Sequence, residues 1–157
     1  MGQYPFFVYG TLLPGQPNDH FWENKIEANK PAHLSGVELF AFPSFPMMVI
    51  SDDHGKQVFG QLIWTEPDAY NRIMKRIDIL ENYDSADPEN SPYQRELRDV
   101  YLQSGETIKA WTYLGQPQLV VGLPQILSGD WLDHVERSIS FSTNQIWWRN
   151  RSTDQLF

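Results

Sequence analysis

Glu81 and the tetrapeptide Tyr9-Gly10-Thr11-Leu12 are the residues of this chain best suited to chemistry. Around Glu81, the apolar residues Tyr70, Ile73, Met74, Ile77 and Leu80 recur at i, i+3, i+4 and i+7, the signature of one buried helix face. Counting about 100° per residue from Tyr70, Ile77 falls near 340° and Glu81 near 20°, the centre of the stripe, with Asp78 at its edge near 80°. A carboxylate there is costly unless it is neutralised or hydrogen-bonded, and desolvation moves its pKa towards neutrality. Two readings stay open: a group that exchanges protons at neutral pH, or a structural acid turned outwards at a frayed helix end and paired with an Arg or Lys from elsewhere.

The tetrapeptide follows Pro5-Phe6-Phe7-Val8-Tyr9, a buried-strand pattern, and opens an abrupt turn, Gly10-Thr11-Leu12-Leu13-Pro14-Gly15. A Gly directly after a core strand lets backbone N–H groups turn outwards, and a run of unpaired N–H groups makes a concavity for a carboxylate or phosphate. Alone, such a tetrapeptide reads equally as an ordinary turn. Tyr93 and Arg95 alternate onto one face of a later strand, so both can border the same cavity, or simply decorate the strand. Contact between Arg95 and Glu81 would favour the ionised acid and oppose a raised pKa, so Arg95 is left out of the site.

The elements that must position these groups follow from pattern and punctuation. Thr65-Glu66-Pro67-Asp68 reads as a capping box opening a helix over 66–82, and Asn82 can end it in the left-handed conformation. Strands are expected at 34–42, 47–50, 57–64, 93–103 and 107–114, a helix near 19–29, and a short helix over 128–135 capped by Ser128. Many strands with few helices, out of strict alternation, indicate the α+β class.

Composition narrows the function. The 157 residues are 41% hydrophobic and 14% aromatic, enough for one sizeable core. The net charge of −8 argues against a nucleic-acid partner or an anionic membrane surface, since both need local positive charge. The absence of cysteine excludes thiol nucleophiles, disulfides and Cys-ligated metals. His20, His33, His54 and His134 have no helical pairing among themselves, so no metal is expected. No dinucleotide, phosphate-loop or serine-hydrolase motif occurs, which leaves chemistry without a cofactor. No apolar run approaches a membrane span or a signal segment, Phe6 breaks the myristoylation pattern of Met1-Gly2, and the expectation is a cytoplasmic protein. The segment Ile146-Trp147-Trp148-Arg149-Asn150-Arg151 is expected to pack on the domain or on a second subunit rather than stack on bases.

Taken in order, Tyr9-Gly10-Thr11-Leu12, Gly36, Val58-Phe59-Gly60-Gln61-Leu62, Asp78-Ile79-Leu80-Glu81, Tyr93-Gln94-Arg95, Ala110-Trp111-Thr112-Tyr113 and Ser128-Gly129-Asp130-Trp131 resemble the blocks of the gamma-glutamylcyclotransferase-like, or AIG2-like, family. The resemblance covers roughly 5–133, and Asn82 stands where that family commonly has Gly. It implies a small closed mixed β-barrel with a few packed helices, as a domain over 1–140 followed by an extension over 141–157. It also implies a small-molecule γ-glutamyl substrate, whose α-amine attacks its own γ-carbonyl to close 5-oxoproline and expel an amine. Glu81 is then the general acid/base, the backbone around Gly10, Thr11 and Leu12 holds the glutamyl end, Tyr9 walls the pocket and Tyr93 borders it. The alternative is a non-catalytic module that binds a small carboxylate on the same fold.

Overall fold

The computed structural model describes residues 3–138. Among these residues seven strands form, β1 (Phe6–Val8), β2 (Ile26–Ser35), β3 (Val37–Ala41), β4 (Pro46–Ile50), β5 (Gln57–Thr65), β6 (Tyr93–Leu102) and β7 (Thr107–Gly115). With them are a helix α1 (Tyr70–Leu80) and a second helix, α2, over 131–138. The α+β expectation holds, and five of the strands close into a barrel in the order β1-β5-β2-β6-β7, while β3 and β4 pair as a separate hairpin.

Strand periodicity places the core. On β1, Phe7 joins a cluster with Leu34, Val58, Leu62, Val100 and Leu114, contributed by every barrel strand and therefore filling the interior. Its neighbours Phe6 and Val8 point the opposite way, into a second cluster with Ile63, Ile73, Ile77 and Tyr113 between the barrel wall and α1. Burying an Ile or Leu of this kind contributes roughly 1.5–3 kcal/mol, so α1 is clamped by its Tyr70, Ile73 and Ile77 stripe.

The barrel closes between its first and last strands. Along β1 the antiparallel neighbour β5 pairs at all three residues, whereas the parallel neighbour β7 meets it at Phe6↔Trp111. There the Trp111 amide donates to Pro5 O at 2.9 Å.

Several sequence expectations need correcting. Thr65 does not cap a helix: it ends β5, paired with Ile26, and its buried hydroxyl finds no partner among the described residues. A turn from Glu66 follows, with Ala69 N donating to Glu66 O, so α1 starts at Tyr70 without a side-chain cap. The helix expected near 19–29 is a 3-10 turn at Asp19–Trp22, followed by β2. The single strand expected over 34–42 is divided, because Gly36 at φ +74° turns the chain between β2 and β3. For α2, Asp130 rather than Ser128 occupies the capping position, its Oδ1 accepting from Asp133 N at 3.3 Å. The tail over 146–151 and the expected boundary at 140/141 lie outside the described residues. Among the described residues no helix is long and apolar enough to cross a membrane.

Candidate active site

The end of α1 is a defined stop. Asn82 N donates to Ile79 O at 3.1 Å and Tyr83 N to Asp78 O at 2.8 Å, with Asn82 in the left-handed region at φ +53°. This pair of bonds is the Schellman arrangement, and it holds Glu81 at the C-cap on the line continued from Ile73 and Ile77. Glu81 is therefore not a frayed end, and among the described residues no cation or hydrogen-bond donor reaches its carboxylate. Burial pushes its pKa up to about 7. The helix dipole acts the same way, since a C-terminus carries partial negative charge.

Glu81 opens into a cavity of about 670 Å³ that is also lined by Tyr9, Gly10, Thr11, Leu12 and Tyr93, so all six residues singled out in the sequence meet at one place. The loop after β1 owes its shape to bonds on its carbonyls. Gly10 O accepts from Leu13 N, Thr11 O from Asn18 N and Leu12 O from the Trp22 indole at 2.7 Å, while Asn18 Nδ2 donates to Thr11 Oγ1 at 2.9 Å. In a trans peptide the C=O of one residue and the N–H of the next point oppositely. Tying down the Gly10 and Thr11 carbonyls therefore turns the Thr11 and Leu12 N–H groups away from the loop, and these N–H groups find no acceptor among the described residues. Such a pair of amides suits a carboxylate.

Gly10 is required for a reason that sequence did not supply. Its φ is not positive; instead an added Cβ would stand 2.6 Å from Pro46 Cγ and 2.8 Å from Cδ, on the β3–β4 hairpin. Tyr93 reaches the same hairpin, donating from its hydroxyl to Pro46 O at 3.0 Å. Tyr9 donates to Tyr113 O at 2.7 Å.

Tyr113 lines the cavity and was not assigned to the site from the sequence, and Asp78, read there only as the edge of the helix stripe, holds it from behind. Tyr113 donates to Asp78 Oδ1 at 2.5 Å, and Arg95 Nε donates to the same oxygen at 2.9 Å. Arg95 thus pairs with Asp78 rather than Glu81, with its guanidinium 4.5 Å from the Trp111 ring centre. The alternation of β7 was the available signal for Tyr113, but only barrel closure reveals which face meets the cavity. Tyr9, Tyr93 and Tyr113 all have their phenols raised, chiefly by burial and further by the charge of Glu81, so all three stay neutral donors. For Tyr113 the bond to Asp78 acts in the same direction. Asp78→Asn keeps the shape but neutralises the partner of a mostly buried guanidinium. It is expected to cost about 1–3 kcal/mol of stability, measured by urea unfolding.

Among the described residues no three His, Cys, Asp or Glu side chains gather as metal ligands. What the described residues offer is one carboxyl of raised pKa, two amides without an acceptor among them and three neutral phenols around a largely apolar cavity.

Comparison with known proteins bears on this arrangement. The family model described as Gamma-glutamyl cyclotransferase, AIG2-like, matches residues 6–133. A Drosophila melanogaster protein named "Putative gamma-glutamylcyclotransferase CG2811" is 29% identical over 116 residues, 69% of this chain and 67% of that one. Among solved structures, YkqA from Bacillus subtilis superposes with a TM-score of 0.65 at 23% identity, over 87% of this chain but only 42% of that longer one. An AIG2-like protein from Mus musculus gives 0.57 at 20% identity, covering 78% and 84% of the two chains. At these identities the structural likeness speaks for the fold.

Proposed function

Because the chain belongs to the gamma-glutamyl cyclotransferase, AIG2-like family, we propose that it releases 5-oxoproline from a γ-glutamyl amine or amino acid without a cofactor, using Glu81 as general acid/base. The observation that carries the reading is Glu81 itself, a carboxyl pushed up to about 7 in a cavity also lined by Thr11 and Leu12, whose amides have no acceptor among the described residues. A pure binding site has no use for so costly an acid.

The substrate supplies its own nucleophile, so the protein has to fold the glutamyl chain and move protons. The loop amides hold the α-carboxylate, and the cavity wall brings the α-nitrogen over the γ-carbonyl, replacing a loss of chain freedom that would otherwise slow ring closure. Ionised Glu81 takes a proton from the ammonium, the amine attacks, the protonated acid delivers that proton to the departing nitrogen, and the second proton, shed by the ring nitrogen after attack, follows by the same route so that the amine leaves as its ammonium. Neutral Tyr9, Tyr93 and Tyr113 keep further negative charge away from the acid in both of its states.

Glu81 must be ionised to begin the cycle, so kcat/KM is expected to rise with pH through about 7, and this limb should be missing in Glu81→Gln. The check is 5-oxoproline release from a panel of γ-glutamyl compounds between pH 5 and 9. Binding without release across the panel would instead favour a carboxylate-binding module.

A further inference from the structure

Resting on the cyclotransferase reading of this cavity, we propose that the leaving amine carries an uncharged, apolar substituent of aromatic size and no carboxylate. Three observations support this. The cavity, at about 670 Å³, lies well inside the range of roughly 300–1,000 Å³ typical for drug-sized ligands, so a glutamyl group alone leaves much of it unfilled.

The space beyond the reacting centre is walled by apolar side chains. Tyr9, Met47 and Tyr93 are buried and form its floor, whereas Phe45 and Leu119 are 37% and 42% exposed and so mark its mouth. Phe42 and Phe45, which both line it, stack there with ring centres 4.6 Å apart and planes 10° from parallel, so this part of the wall is aromatic. Offset stacking on such a wall favours an aromatic or bulky alkyl group.

The third observation is electrostatic. Among the described residues Glu81 is the one charged side chain lining the cavity; no Lys or Arg does so, and Arg95 is engaged by Asp78. The Thr11 and Leu12 amides can serve one carboxylate, that of the glutamyl group. A second carboxylate on the leaving amine would share a largely apolar cavity with Glu81 and have no cation to meet.

The step itself balances without water. The α-nitrogen forms a bond to the γ-carbon and the bond from that carbon to the leaving nitrogen breaks; the two protons that the α-ammonium loses on becoming the lactam N–H, one before attack and one after, pass in turn through Glu81 to the leaving nitrogen. The products are 5-oxoproline and a primary ammonium, with Glu81 again ionised.

The test compares γ-glutamyl-phenethylamide with γ-glutamyl-phenylalanine, which differ only by the leaving group's carboxylate, and with γ-glutamyl-methylamide, which lacks the ring. The phenethylamide is expected to show a kcat/KM at least about 10-fold above each of the others. Leu119→Arg, at an exposed position on the mouth, should narrow the gap between phenethylamide and phenylalanine compound by improving KM for the latter. Phe45→Ser should lower kcat/KM for the phenethylamide by about 10-fold and so shrink its lead over the methylamide. Equal or better turnover of γ-glutamyl-phenylalanine, equal turnover of the methylamide, or a ratio unmoved by Leu119→Arg would overturn the inference while leaving the cyclotransferase reading in place. Absence of 5-oxoproline from all three compounds would bring down that reading, and the inference with it.

Discussion

Glu81→Gln is expected to slow 5-oxoproline release by about 10²–10⁴-fold, the usual worth of a positioned acid/base, while the barrel stays folded and still binds 5-oxoproline. Gln keeps the volume and the hydrogen-bonding ends of Glu but cannot carry the proton. Stability should move the other way. The folded carboxyl titrates near 7, against roughly 4.3 in an unfolded chain, so between these values the fold holds a proton that the unfolded chain has released. Wild-type stability therefore falls as pH rises through that window. The loss is at most about 4 kcal/mol, less to the extent that water in the cavity screens the charge. Gln escapes this loss. Thermal unfolding should thus show the variant gaining on wild type from pH 5 to pH 8, together with its loss of activity. A fully active variant would remove Glu81 from the chemistry.

Gly10→Val is expected to abolish binding of 5-oxoproline as well as turnover. A Cβ already meets the Pro46 ring at 2.6 Å, and Val adds two methyl groups beyond it, so either the loop or the β3–β4 hairpin must give way. Displacing the loop moves the Thr11 and Leu12 amides from a position fixed by Leu13, Asn18 and Trp22. Overpacking of this kind costs typically about 1–3 kcal/mol, which the two core clusters can absorb. Circular dichroism should therefore report a folded protein and calorimetric titration no binding. Wild-type affinity in a folded variant would place the pocket elsewhere.

The parts legible in the sequence were those written in local periodicity. The 3.6-residue stripe placed Glu81, a continuous apolar run placed β1, strand runs bounded by turn signals placed β5, β6 and β7, and the Gly after β1 marked the loop. Asn82 ends the helix in the left-handed conformation its side chain tolerates. What could not be read depends on contacts between segments distant along the chain. Thr65 has the residue type of a cap, and only its pairing with Ile26 makes it the end of a strand. Asp78 sits on the same helix as Glu81 one turn earlier, yet its meeting with Arg95 and Tyr113 requires the barrel wall to be in place. The demand for Gly at position 10 comes from Pro46 on another hairpin, which no local pattern encodes.

The closure of the barrel has a consequence for how the site is held in time. A sheet of this kind comes apart first where fewest backbone bonds cross, and β1 meets β7 at a single pair, Phe6↔Trp111. The loop that would grip the glutamyl carboxylate is the direct continuation of β1, and Tyr9, at the junction, is moored to β7 through Tyr113 O. Momentary parting of this seam would carry the loop away from Glu81, so a competent site and an intact barrel are one equilibrium rather than two. A bound glutamyl group, touching the loop on one side and the α1 end on the other, would act as a rivet across the weakest joint of the fold.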